Sequence, residues 1–172
     1  MNILETILSR SSIRKYTTQA VSAEIVEKLL RVAMSAPSAG NHQPWHFVVI
    51  DDRELLDAIP AVHPYSQMLK EAPLAILVCG DLQLDRQAGL WVQDCSAATE
   101  NLLLAAHALK LGAVWLGVYP REKRMAGLRE LLLLPENVIP FSLISIGHPA
   151  EEKSPSNRYQ KARIHHNRWE NR

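Results

Sequence analysis

The chain has 172 residues, 47% hydrophobic and 22% charged, with a formal net charge of +1. That length suits one domain with a sizeable core, and near-neutrality argues against nucleic acid as the main partner. Two cysteines, Cys79 and Cys95, have no CxxC partner and no metal-ligand spacing, so they read as small buried hydrophobes in a reducing compartment. The first residues include Glu5 and lack a basic-then-apolar arrangement, so no signal peptide is expected. No apolar run approaches the ~20 residues of a membrane span. The expected location is the cytoplasm.

Residues 3–9 read as a short helix ending at Arg10-Ser11-Ser12-Ile13-Arg14. Ser22 is a good N-cap, with Glu24 in the first turn. Ile25, Val26, Leu29, Leu30 and Ala33 then recur at helical spacing, and the helix ends near Pro37. A loop of small and amide residues follows: Pro37-Ser38-Ala39-Gly40-Asn41-His42-Gln43-Pro44. It runs through Trp45 into a strand at Phe47–Ile50. A short helix through Leu55, Leu56 and Ile59 is expected next, with Pro60 and Pro64 bracketing a loop. Leu74–Cys79 reads as a buried strand.

A long helix with few charges is expected from about Ala88 to Lys110, apolar on more than one side and therefore buried on more than one side. Gly112 is the expected C-cap. Ala113–Val118 reads as a strand, Lys123–Leu133 as a helix, and Phe141–Ile146 as a last strand before Gly147-His148-Pro149. From Glu151 to Arg172 the polar tail carries six Lys/Arg against three Asp/Glu. Strands alternating with helices suggest, by pattern alone, an open parallel sheet. No strand leads into a G-x-G-x-x-G or Walker lysine loop, so a Rossmann or P-loop site is not supported.

Two segments carry the chemistry. Arg10, Ser11, Ser12 and Arg14 put two guanidiniums and two hydroxyls within five residues, a donor set suited to a phosphate monoester. Arg158, in Ser154-Pro155-Ser156-Asn157-Arg158-Tyr159, is a third candidate cation. Gly40 and its small neighbours allow close backbone approach to a ligand. Asn41 and Gln43 supply amide groups, while Trp45 is best read as a core residue. His42, His46, His63, His107, His148, His165 and His166 form no spaced metal-binding set. His107 is expected in a satisfied or polar-face position. Asp94 and Glu100, six apart, do not share a helix face. No metal site and no catalytic side chain is expected.

In this order, on either side of one helix, the two segments resemble the FMN-dependent nitroreductase family, and the resemblance runs from Ile3 to Trp169. It implies an α+β, three-layer fold: a mixed, mainly antiparallel sheet flanked by helices, with the long helix buried at a dimer interface. It implies a single FMN-binding domain over 1–172, with 149–172 as a C-terminal tail.

It further implies that Arg10, Ser12 and Arg158, with Ser11 beside them, hold the FMN phosphate. Arg14 would lie nearer the ribityl chain and pyrimidine edge. Pro37, Ser38, Ala39 and Asn41 would lie against the flavin from a second subunit, making the homodimer obligatory. Backbone N–H groups from about Trp115, Leu116 and Gly117 to Val118 would face the ring, one of them near N5. The implied activity is FMN-dependent NAD(P)H oxidoreduction by a ping-pong route, with NADH or NADPH as donor and a nitroaromatic or quinone as acceptor. The chain leaves only about fourteen residues, Asp57 to Lys70, where larger members add a covering helical segment. An open site is therefore expected, with Trp91 or Tyr65 near its mouth. The alternatives are a flavin-binding module for storage or sensing, and specialised flavin chemistry without general reductase turnover.

Overall fold

Asn2 starts the first helix with a capping box: its side chain accepts from Glu5 N–H, and the Glu5 carboxylate accepts from Asn2 N–H. The computed structural model describes residues 2–86 and 89–169. In chain order it contains α1 (Ile3–Ser9), α2 (Ala23–Met34), β1 (Trp45–Ile50), α3 (Arg53–Val62), β2 (Leu74–Asp81), α4 (Trp91–Ala108), β3 (Gly112–Gly117), α5 (Glu122–Leu132) and β4 (Val138–Gly147). A 3-10 turn at Ala39–Asn41 sits between α2 and β1.

The helix starts follow local chemistry. Ser22 accepts from Ile25 N–H and Asp52 from Leu55 N–H, each satisfying a first-turn donor. Pro60 does not end α3 as expected. The helix continues to Val62, and His63 N–H still bonds to Ile59 O at 2.9 Å. A proline forfeits its own bond to the carbonyl four residues back and crowds that carbonyl, but the His63–Ile59 bond and burial of Leu56 and Ile59 hold the last turn in place.

The four strands lie in the order β1-β2-β4-β3, and all three pairings are antiparallel. This overturns the parallel sheet suggested by alternation and agrees with the sheet implied by the family resemblance. β2 is buried along its whole length because helices cover both faces. Alternate residues therefore enter two cores. Ile76 and Val78 meet α2 and α4 through Leu29, Ala33, Cys95 and Leu102. Leu77 and Cys79 meet α3 and α5 through Leu56, Ile59 and Leu128. The result is helix, sheet, helix in three layers.

α4 is covered within the chain by α2 and the sheet, burying Cys95, Ala98, Thr99, Leu102 and Ala106 completely. It spans Trp91–Ala108, and Ala88, where the expected helix began, lies outside the described residues. Gly112 is not its cap. Leu109 is the C-cap, Lys110 takes the left-handed conformation at φ 62°, and Gly112 begins β3. Glycine is needed there because a Cβ would lie 2.5 Å from Ile13 Cγ2.

Trp91 is also misplaced by the sequence reading. It is buried edge-on against Phe141 and Tyr119, over Gly80, rather than at a cavity mouth. Trp45 is a core residue, as expected. Both cysteines are buried, and burial pushes the Cys79 thiol up to about 12, which suits an inert packing role. Among the described residues no helix is long and apolar enough to cross a membrane.

Candidate functional site

The site is built on the outer edge of β3. That strand ends the sheet, so one side of its backbone has no neighbouring strand. Antiparallel ladders alternate, turning every second residue toward the partner. Val118 N–H donates to Phe141 O at 3.3 Å, so Leu116 and Val114 share that inward side. Ala113, Trp115 and Gly117 therefore turn their backbone groups to the free edge. Two observations agree. Ile13 N–H donates to Ala113 O at 3.0 Å, and His63 Nε2 and Arg124 Nη1 reach Gly117 O at 3.0 and 2.6 Å.

Residues 10–17 are laid along this edge and fastened from three sides. Ser12 makes a parallel bridge to Ala113, and Tyr16 an antiparallel one to Pro149. The buried Tyr16 hydroxyl donates to Ile13 O at 2.8 Å, with Ser145 O also in reach at 3.2 Å. Burial raises its pKa to about 12, so it remains a donor at every physiological pH.

The chain after β4 returns over the same segment. Thr17 N–H donates to His148 O and Ala150 N–H to Lys15 O, both at 2.9 Å. Glu151 Oε1 accepts from Arg14 N–H at 2.5 Å, and Lys153 Nζ donates to Ser12 O at 2.7 Å. The Arg14 amide is the main cause holding the Glu151 carboxyl below its ordinary value.

This lacing brings the tail beside the first arginine. Arg10 and Arg158 line one cleft of about 460 Å³, together with Ile7, Leu8, Ser156 and Tyr159. Among the described residues no carboxylate lines it. Arg10 is mostly buried and has its Nε 3.7 Å from Glu100. Among the described residues Arg158 and Arg14 make no side-chain ion pair. Two arginines lining one cleft are a donor set suited to an anion, since a guanidinium fork matches a phosphate's oxygens.

Arg14 lines a second cavity, of about 430 Å³, with Trp115, Leu116, Gly117, His63, Tyr65 and Arg124. Here Trp115 and Gly117 present edge-facing N–H groups. A Cβ on Gly117 would meet nothing within 4 Å, so the cavity reaches the bare backbone. A flat, polar-edged ring suits such a wall, and Arg14 supplies positive charge beside it. Tyr65 is largely exposed and stands at this cavity, with Arg124 stacked 5.2 Å over its ring.

The sequence-predicted residues thus divide. Arg10 and Arg158 meet in one cleft, while Arg14 joins Trp115, Leu116 and Gly117 in another. Ser12 is tied between β3 and Lys153. Ser11 lines a different cavity, with Ser9, His107 and Lys110. Pro37, Ser38, Ala39 and Asn41 are not with the arginines. Their loop is docked on the start of α4, where Ala39 N–H donates to Asp94 Oδ1 at 2.9 Å and Gln43 N–H to Ser38 Oγ at 3.0 Å. His107 is satisfied by Ser9 Oγ at 2.8 Å.

Two residues at the second cavity were missed by the sequence reading, His63 and Arg124. They are 61 positions apart, on different elements, and share no spacing motif; only the fold brings them to one carbonyl.

The Nitroreductase family model matches residues 7–64 and 60–148. A protein of Methanothermobacter thermautotrophicus, provisionally named NADH dehydrogenase/NAD(P)H nitroreductase, is 52% identical over 169 residues, covering 98% of this chain and 88% of its own length. A crystal structure of a Parabacteroides distasonis protein with the same provisional name superposes with a TM-score of 0.94 at 45% identity, covering 98% of this chain and 100% of that one. A Desulfovibrio desulfuricans protein, provisionally a nitroreductase and solved in complex with FMN, gives a TM-score of 0.86 at 35% identity, with 99% of each chain covered.

Proposed function

Since the chain belongs to the nitroreductase family, we propose that it is an FMN-dependent NAD(P)H oxidoreductase whose 1–172 chain forms one flavin-binding unit. The observation that carries the reading is the Arg10–Arg158 cleft, linked by residues 10–14 to the Arg14 cavity on the free edge of β3. The donor set fits the cofactor: Arg158 and Arg10, the latter with its Nε 3.7 Å from Glu100, for the phosphate, and open backbone for the ring. Arg10 and Arg158 hold the phosphate, and Ser12 positions the strand between them and β3. Arg14 sits beside the ring edge, where a cation stabilises the charge that arrives with two electrons.

FMN held by Arg10, Arg158 and Arg14 would supply the redox chemistry, two-electron exchange at N5 between NADH or NADPH as donor and a nitroaromatic, quinone or similar acceptor. The chain's own task is alignment of donor and acceptor in turn, at about 3–3.5 Å. No side-chain base is required for that transfer.

A second copy of the chain completes the site. On α1, Ile3, Leu4 and Leu8 are 66–75% exposed, an apolar face in need of cover. The Pro37–Asn41 loop is absent from its own chain's arginine cavities and serves the partner's. In the tail, Tyr159 is exposed and lines the same cleft as Ile7 and Leu8 of α1.

The test is direct. Purified protein reconstituted with FMN is yellow, bleaches on anaerobic addition of NADH or NADPH, and recovers colour with a quinone. Bound flavin that neither nucleotide reduces would instead indicate a storage or sensing module. Protein that takes up no FMN would refute the reading.

A further inference from the structure

The geometry points to His63 as a positioning residue for the proposed flavin reaction: with Arg124 it clamps the Gly117 carbonyl, and so fixes the open backbone at the end of β3 that meets the ring. This rests on the flavin reading above and adds to it a residue that makes none of the expected cofactor contacts.

Gly117 needs such a clamp. It is the last residue of an edge strand, has no side chain to pack, and has no outer strand to pair with. On its inner side this peptide is held to β4 through a long bond, Val118 N–H to Phe141 O at 3.3 Å, while its carbonyl faces the open edge. Two side chains replace the missing strand. His63 Nε2 lies 3.0 Å from Gly117 O, and Arg124 Nη1 lies 2.6 Å from the same atom.

The tautomer follows from the acceptor. A carbonyl cannot donate, so Nε2 carries the hydrogen. Nδ1 is then a bare lone pair, buried and without a partner among the described residues. His63 is 1% exposed. Burial foremost, and then the Arg124 charge, hold its pKa below 6.5 against the opposing pull of the Gly117 bond, so the ring is neutral at physiological pH.

An unpaired buried nitrogen lowers stability. A leucine would avoid that penalty but lose the bond to Gly117 O, so the position holds a donor at the expense of apolar packing. What it gains is one directed donor, from a rigid ring, at the wall of the Arg14 cavity.

The experiment compares His63→Leu with His63→Gln, whose amide nitrogen can restore the donor. Apoprotein is titrated with FMN, the midpoint potential of bound flavin is measured, and the Gly117 carbonyl ¹³C resonance is read in FMN-free protein. H63L should melt at or above the wild-type temperature, yet bind FMN about tenfold more weakly, the loss expected for one hydrogen bond. Its potential should move, and its carbonyl resonance should shift upfield. H63Q should return FMN affinity to within about threefold of wild type.

H63L with wild-type affinity, potential and carbonyl shift would overturn the inference. So would H63Q failing as badly as H63L, since shape rather than donation would then be the cause. If H63L does not fold, H63Q and the carbonyl resonance decide by the same criteria. Wild-type protein that takes up no FMN defeats the flavin reading itself, and the carbonyl resonance then still decides whether His63 holds Gly117.

Discussion

Replacing Gly112 with alanine tests how the arginine segment is seated. The new Cβ would lie 2.5 Å from Ile13 Cγ2 and 2.8 Å from Ile13 Cβ. Carbon atoms in good contact are about 3.5–4.0 Å apart, so the overlap is about 1 Å against a branched, buried side chain. Ile13 cannot swing freely, because its N–H is bonded to Ala113 O and its own carbonyl to Tyr16. Overpacking of this kind costs about 1–3 kcal/mol. For a chain of this size that is a fall in melting temperature of about 2–12 °C.

The displaced residue sits between Ser12 and Arg14, so FMN affinity should fall with stability. Thermal unfolding and an FMN titration of the same preparation measure both. Ile13→Ala supplies the control. Alone it should destabilise by about 2–5 kcal/mol, but Gly112→Ala should cost much less in its background than in wild type. A G112A protein with unchanged melting temperature and FMN affinity, or one whose effect simply adds to that of I13A, would refute the seating described here.

Arg158→Ala should weaken FMN binding by about 10–100-fold, the range for a charge-assisted contact, while leaving riboflavin affinity unchanged; equal losses for both ligands would remove Arg158 from the phosphate. Glu151→Gln should show a pH signature. The folded Glu151 carboxyl lies below its ordinary 4.5, so its contribution is complete above that value and is lost as pH falls through the folded one. The stability gap between wild type and E151Q, followed by denaturant melts, should therefore close in acid; a gap independent of pH would contradict the Arg14 contact. Leu8→Glu places a charge on the exposed face of α1. It should yield monomer by sedimentation and lose FMN; a dimer that keeps its flavin would take α1 out of the interface.

The sequence announced helices more clearly than their arrangement. α2 was legible because Ser22 caps it and its apolar residues recur at helical spacing. The antiparallel order was not, because β2 is buried along its full length and such a run reads the same in either sheet type. Gly112 looked like a helix cap, since a glycine needed for close packing leaves the same letter as one needed for positive φ.

At the site, Arg10 and Arg158 stood out by type and tail position, and the fold does join them. Arg14 turned out to face the other cavity because it follows the residues that bridge to β3. The edge-facing N–H groups of Trp115 and Gly117 had no signal in their own residues, since backbone chemistry is independent of side-chain identity; the family resemblance alone pointed to residues 115–118, of which Val118 turns its N–H inward to Phe141 O. His63 and Arg124 had none either, because a shared carbonyl leaves no spacing in the sequence.

A crystal structure of the FMN-bound protein tests the central claim most directly. It should show the phosphate between the guanidiniums of Arg10 and Arg158, the ring along Trp115–Gly117 beside Arg14, and residues 37–41 of a second copy against the flavin. A phosphate bound away from the Arg10–Arg158 cleft, or a complete flavin site within one isolated chain, would contradict it.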